Sequence, residues 1–473
     1  MKQADVRTLT ITLLAAAALL VLNGAGRAQQ KFPDLYNLGP LGGKASVARG
    51  EFPDAGTCGL CVVELFKGGP AEKAGLKVGD TIYGAGKVFE QDAYLELGYA
   101  IAAAEAKNPA HCELMLKRGD ENLKLTAVLA HFADADDRTR AILQAACKWL
   151  AAQQDSEGAF RSTLSPEVSQ VVLTSLAGMA WLAAGNKPHE GAYAANIVKA
   201  AVFVSEFVGE QKHYRKLQGK NNDQTNWSLG YGGVFLAHVA KAADEKWLKR
   251  SELKRIDSKL KWIRDRILKQ AEPDGGFAAG PGGANILDYV HLEVMSNFCL
   301  AALGCIRQAG VDVDAEKVEP LLAYVEKCQG EDGGIHYSHD KLWGTDVGRT
   351  AGAMNAFAAL GVTSRDSYAR MKSYLDKNYQ HAFSGHSTPT MHQLSVAIAA
   401  RREGMLDKYW AAQDREFTMV RNPDHTFAYR PTADTLRMGM NLDRDLGAAW
   451  TTAHWVIVLG LKQGGSSLWV AKP

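Results

Sequence analysis

The chain has 473 residues, 47% of them hydrophobic and 22% charged, a globular composition in a chain too long for one ordinary core. A formal charge of +2 gives no basic or acidic excess, so nucleic acid is not expected as a partner. Seven cysteines, an odd number spread thinly, do not make a disulfide framework.

At the N-terminus, Lys2 and Arg7 precede an apolar run from Leu9 to Leu22, and Gly26 and Ala28 supply small residues at a cleavage site. This pattern predicts a secretory signal peptide over 1–28, cut after Ala28, and hence an exported protein, periplasmic or secreted. The run of about fourteen residues is short for a bilayer span of roughly twenty, so a membrane association is expected only through an uncleaved signal anchor.

The next segment reads strand, turn, short helix, strand, helix, two strands. CGLCVVEL (Cys58–Leu65) is a strand, in which Cys58 and Cys61 point to opposite faces and are expected to be core thiols. Gly68-Gly69-Pro70 breaks it, Ala71–Ala74 makes one helical turn, and Gly75 ends that turn. Thr81–Tyr83 is a strand and Ala93–Ala106 a helix. Cys112–Leu116 and Leu123–Val128 form a closing hairpin.

This segment, 32–130, resembles a PDZ domain of the bacterial type, and GPAEKAGLKVGD is its most specific phrase. The resemblance implies a groove that takes a peptide or protein partner by its C-terminus. Leu38, Gly39, Leu41 and Gly42 would form the carboxylate loop, and Tyr94, Leu97 and Ile101 the helical wall. Pro40 has no N–H to donate there, which weakens carboxylate capture.

From Asp136 onward the spacing is helical. Helices with one apolar face alternate with helices apolar nearly all round: Ile256–Lys269 with Leu292–Ile306, Val318–Lys327 with Thr350–Leu360, Tyr368–Lys377 with Leu394–Ala400. A recurring phrase joins them, as in QQDSEGAF (Gln153–Phe160), QAEPDGGF (Gln270–Phe277) and QGEDGGI (Gln329–Ile335). Six pairs whose end members are as apolar as the middle ones predict a closed ring rather than an open solenoid. The expected fold class is therefore multi-domain, a small β-rich PDZ domain plus a mainly α, six-repeat α6/α6 toroid over 134–466, with a tail at 467–473.

The phrase resembles the repeat signature of terpenoid cyclases and protein prenyltransferase β subunits, which implies a structural joint. The whole arrangement also resembles exported proteins of planctomycete-type bacteria, which implies architecture rather than a reaction. Asp134-Ala-Asp-Asp137 fits the DxDD pattern of class II cyclases, yet its place at a helix start predicts capping. Asp288 and His291 lack the cysteine spacing of a prenyltransferase zinc set, so no metal is assigned and no cofactor is predicted. A divalent metal remains the alternative.

Polar residues cluster where inner helices begin, and in a ring these starts converge on one mouth. Asn226, Trp227, His336, Asp346, Arg349, Arg430, Arg444 and His454 are the expected ligand positions, suited to a polar, anionic or glycan ligand. Catalytic candidates are Asp288, His291, His386, His392, Asp443 and Asp445. The leading expectation is an exported binding or scaffolding protein. The alternative is a glycan- or peptide-acting enzyme, metal-assisted or not, with His, Asp and Arg at the mouth.

Overall fold

The computed structural model describes residues 35–50, 56–164, 166–211, 223–243, 250–281, 291–341, 343–385 and 387–464. The expected signal peptide, Asp288, His386 and the C-terminal tail lie outside these residues. No described helix is long and apolar enough to cross a membrane. All seven cysteines are free; Cys61 is half-buried and the others are buried.

Two compact units emerge, and neither is one continuous stretch. One holds 35–149 with 407–452, the other 150–406 with 453–464. The first contains a seven-stranded antiparallel sheet in the order β1-β2-β3-β4-β6-β7, with β5 on β4. Its strands are β1 (Tyr36–Asn37), β2 (Gly43–Arg49), β3 (Cys58–Leu65), β4 (Thr81–Ala85), β5 (Lys87–Val88), β6 (His111–Arg118) and β7 (Glu121–Val128). Helix α1 (Pro70–Lys73) is the single turn expected, ended by Gly75 at φ 92°. Helix α2 (Ala93–Glu105) is capped by Asp92, which accepts from the N–H groups of Tyr94 and Leu95.

The apolar face of this sheet and α2 close over Leu60, Val62, Ile82, Leu97, Ile101 and Leu114, and one further member arrives from far along the chain: Met419. It lies on α13, introduced below. Asn37 Nδ2 donates to the Met419 carbonyl at 2.9 Å. A Cβ on Gly39 would meet Thr418 O at 2.8 Å, and one on Gly98 would meet Met419 Cγ at 2.9 Å. The positions expected to bind a peptide are therefore covered by the chain itself: Leu38, Leu41, Leu97 and Ile101 are wholly buried and Tyr94 nearly so. A pattern of strands and a helix carries no sign of a segment more than three hundred residues away (Met419 against Asn37), so the sequence could not say what packs on these positions. Beside it, Arg421 and Glu105 form an ion pair at 2.5 Å with both side chains almost fully buried.

The helical pairs follow the expected order. Outer helices are α3 (Ala135–Gln153), α5 (Ala194–Phe207), α7 (Arg250–Gln270), α9 (Ala315–Lys327), α11 (Asp366–Asn378) and α13 (Leu406–Val420). Inner helices are α4 (Pro166–Ala183), α6 (Thr225–Ala242), α8 (Glu293–Gln308), α10 (Val347–Ala359), α12 (Pro389–Arg402) and α16 (Ala448–Lys462). Two short helices absent from the sequence reading, α14 (Ala433–Met438) and α15 (Leu442–Leu446), fill the last joint. Thr432 and Asn441 cap them. Asn441, rather than Asp443 or Asp445, caps the second of them.

Small residues set the inner helices side by side. Gly178 meets Phe235, Gly230 meets Phe298, Gly304 meets Ala359, and Gly348 meets His392. Gly460 meets the Ala183 carbonyl, which brings α16 back to α4 and closes the α6/α6 ring. The DxDD segment caps α3: Asp134 Oδ1 accepts from the N–H groups of Asp136 and Asp137 at 2.9 and 2.8 Å.

The repeated phrase is a joint with fixed chemistry. Asp155, Asp274, Asp332 and Asp424 each accept, through Oδ1, the backbone N–H two residues on or beyond. The closing residue then donates its N–H to a hydroxyl on the inner helix that follows: Phe160 to Thr174, Phe277 to Ser296, Ile335 to Thr350, Phe427 to Thr452. The glycine between needs a left-handed backbone and no side chain. Gly333 has φ 88°, and a Cβ there would lie 2.6 Å from the Arg370 carbonyl.

Substituting Gly333 by alanine should therefore cost more than substituting Gly310. Both glycines have positive φ, 88° and 90°, but a Cβ on Gly310 meets nothing within 4 Å. Each loses about 1–3 kcal/mol to backbone strain, and Gly333→Ala should lose more through the clash. Urea unfolding of the two variants measures the difference, and equal losses would show that close approach of the next outer helix is not what the joint requires.

Candidate functional site

In the joint before α8, the carboxylate of Asp274 does two jobs. Its Oδ1 holds the turn at Gly276 N, 2.9 Å away. In the neighbouring joints the spare oxygen is already engaged, with Arg161 for Asp155 and with the Thr345 hydroxyl for Asp332. In Asp274 the spare oxygen faces two imidazoles. Oδ2 lies 2.5 Å from His291 Nδ1 and 3.6 Å from His339 Nδ1. Neither Asp274 Oδ2 nor His339 Nδ1 has an aligned hydrogen-bond partner.

His291 stands two residues before α8. His339 sits in the loop after Ile335, tied to α8 where Glu293 N donates to the Tyr337 carbonyl at 3.1 Å. Both imidazoles meet the Tyr324 ring edge-on, at 5.7 and 5.8 Å, and lie 5.7 Å from each other. One ligand atom from each of Asp274, His291 and His339 falls within 4.8 Å of the others. The His339 side chain is 37% exposed and that of His291 18%, so the corner is reachable from solvent.

Beneath it the protein buries charge. Glu293 has no exposed surface, and burial pushes its carboxyl well above the usual range. The Arg349 charge and the Asn297 hydrogen bond at 2.6 Å offset this in part. Burial likewise raises the Cys328 thiol, with Glu293 adding to it, so this thiol stays protonated and is no nucleophile.

Arg349 is buried against Asp346 at 2.5 Å and donates to the Ile335 and Gly344 carbonyls; Asp346 caps α10. Arg349 borders a cavity lined also by Tyr231, Asn297, Asn355 and His392. His392 is buried with its Nε2 unpartnered.

Other expected mouth residues serve the scaffold. Asn226 donates to the Ala278 carbonyl and accepts from Gln270, so it braces a joint. Trp227 packs on Phe298, and His336 Nδ1 lies 2.8 Å from the Trp343 carbonyl. His454 is fully buried in α16. In the other unit Arg430 pairs with Glu416 at 2.6 Å and stacks over Tyr94 at 4.6 Å. Asp443 is buried and accepts from the Trp450 indole at 2.7 Å, and Arg444 pairs with Asp445 at 3.1 Å. Of the catalytic candidates among the described residues, His291 alone joins the corner. Sequence reasoning passed over Asp274 because the joint explains it, and a joint occupies only one of its two oxygens.

Burial, with the Arg349 charge adding to it, holds the His392 imidazole down at about 3. That is below its unfolded value near ~6.5, so its contribution to stability is full above that value and is lost as pH falls toward 3. Replacing His392 with asparagine should flatten the stability–pH slope between about pH 6 and 4 by roughly 1.4 kcal/mol per pH unit, one proton's worth. Urea unfolding across that range checks this, and an unchanged slope would mean that His392 is protonated in the folded chain.

No curated protein matches the chain. Among solved structures it is similar to the type II terpene cyclase MstE from Scytonema, at 14% identity and TM-score 0.41, covering 69% of this chain and 99% of that one. A glycosyl hydrolase of family 88 from Bacteroides vulgatus matches at 10% identity and TM-score 0.46, covering 70% and 99%. A protein from Actinoplanes matches at 12% identity and TM-score 0.39, covering 69% and 99%. At these scores the likenesses carry no argument about activity. Residues 139–463 match a family described as "Domain of unknown function (DUF6288)", and the chain belongs to that family.

Proposed function

We propose that the helical ring is a hydrolytic enzyme acting on a polar substrate, a glycan or a peptide, at the Asp274–His291–His339 corner. The observation that carries this reading is the spare oxygen of Asp274 facing two solvent-reachable imidazoles. A carboxylate against Nδ1 orients His291 and leaves Nε2 to act as the base. His291 takes a proton from water, whose oxygen bonds to the electrophilic carbon. The bond to the leaving oxygen or nitrogen breaks, and protonated His339 supplies that atom's proton. The full chain should release products from a glycan or peptide panel followed by mass spectrometry. His291→Gln should lower turnover by about 10²-fold or more. Asp274→Asn, which keeps an oxygen for the Gly276 N–H, should do the same without unfolding the joint. Turnover unaffected by both substitutions would sink the reading.

The sheet unit is best read as a PDZ-type domain whose groove holds an internal ligand, the Thr418–Val420 end of α13 with Met419 in the core. Its role is then to brace the last outer helix, rather than to capture free C-termini. Export with cleavage after Ala28 completes the proposal, and N-terminal sequencing of the mature protein tests it. A C-terminal peptide library should give no enriched motif with the full chain, and Met419→Ala should cost about 2–5 kcal/mol of stability. A peptide bound tightly by the unaltered chain would overturn the internal-ligand reading.

A further inference from the structure

We infer that Asp274, His291 and His339 form a binding site for one first-row divalent cation, Zn²⁺ foremost. The inference rests on the same corner as the proposed hydrolysis: with a cation bound there, His291 and His339 would serve as its ligands in place of their acid–base roles, and the cation would supply the activation of a bound water.

Two imidazoles and one carboxylate are a donor set that suits zinc, manganese or iron(II) and leaves coordination positions open for water or substrate. The three donors already stand within 4.8 Å of one another. Ligands around a zinc ion sit about 2.0–2.2 Å from the metal. Drawing them in needs a small inward shift of His339 and a slight parting of Asp274 from His291, now at 2.5 Å.

The second observation is the unmet bonding of these atoms. Asp274 Oδ2 and His339 Nδ1 are buried atoms without an aligned hydrogen-bond partner. Such atoms are costly to leave unsatisfied, and a cation between them would satisfy both at once. The scaffold also fixes the set from two sides: the joint turn holds Asp274 through Oδ1, and Glu293 N to Tyr337 O ties the His339 loop to the start of α8 beside His291. His339 Nε2 lies 3.1 Å from Asp340 Oδ1, a carboxylate contact of the kind that orients a metal-binding imidazole.

The test uses the full chain, stripped with a chelator and titrated with Zn²⁺, Mn²⁺ and Mg²⁺. Melting temperature and bound metal by elemental analysis are the readouts, and Co²⁺ absorption adds a spectroscopic signature of the nitrogen and oxygen donors. One equivalent of Zn²⁺ is expected, with a melting temperature that rises with zinc concentration and little response to Mg²⁺, which prefers oxygen ligands. Asp274→Asn and His339→Gln should each weaken zinc binding by tenfold or more, whereas His336→Gln should leave it unchanged. Zinc bound equally by both ligand variants, or no zinc bound at all, overturns the site. If the full chain binds no zinc and the chelated protein still turns over substrate, the metal inference fails and acid–base hydrolysis by the same residues stands. If zinc binds as described but no substrate is turned over with or without it, the site stands and the hydrolytic reading fails.

Discussion

Four joints of the helical ring are built on one carboxylate turn. At each described joint of this kind an aspartate oxygen gathers backbone N–H groups that a helix end would otherwise leave unpaired, and the residue closing the turn passes its own N–H to a serine or threonine hydroxyl on the next inner helix. The two bonds fix where an outer helix stops and an inner helix starts. A glycine at the bend lets the following outer helix come close enough to touch backbone. At Gly275 an added Cβ would run into the Pro320 carbonyl. In the last joint His425 takes the left-handed position instead, at φ 65°, with Asp424 still holding the turn.

The same economy of space governs the interior. Inner helices meet through glycines against a large neighbour, Gly178 on Phe235 and Gly230 on Phe298 among them. Helices apolar on every side are possible because they are covered on every side. In the sheet unit the rule appears in another form. Met419 fills a core that the strands and α2 leave open, and the Arg421–Glu105 pair sits beside it with almost no solvent contact. Removing one partner of such a pair would strand the other charge, a loss of about 3–5 kcal/mol.

Function follows from what a joint leaves over. A turn uses one aspartate oxygen. Where arginine or threonine takes the second, the joint is only a joint; where two histidines face it, as at Asp274, the same residue becomes part of a reactive corner. The buried polar groups Glu293, Arg349 and Asp346 stand at the starts of α8 and α10, the first bonded to Asn297 and the other two paired with each other.

Periodicity and composition were enough to read the six helix pairs, the closure of the ring and four of the seven strands of the sheet unit, because these depend on which faces are apolar and where glycine permits a bend. The sequence also marked His291 as a candidate, through its place before an inner helix. Other features depended on through-space neighbours that no local pattern records. Arg349 and Arg430 were set apart as ligand residues, yet each spends its charge on an adjacent carboxylate. Asp274 was explained by its turn, and only the fold brought His339, 65 positions further on (339 − 274), to its second oxygen. The main strands and the helix of the sheet unit could be drawn from sequence, but the residue that completes their core could not. Met419 lies on the last outer helix, and a contact across that separation is decided by tertiary packing alone.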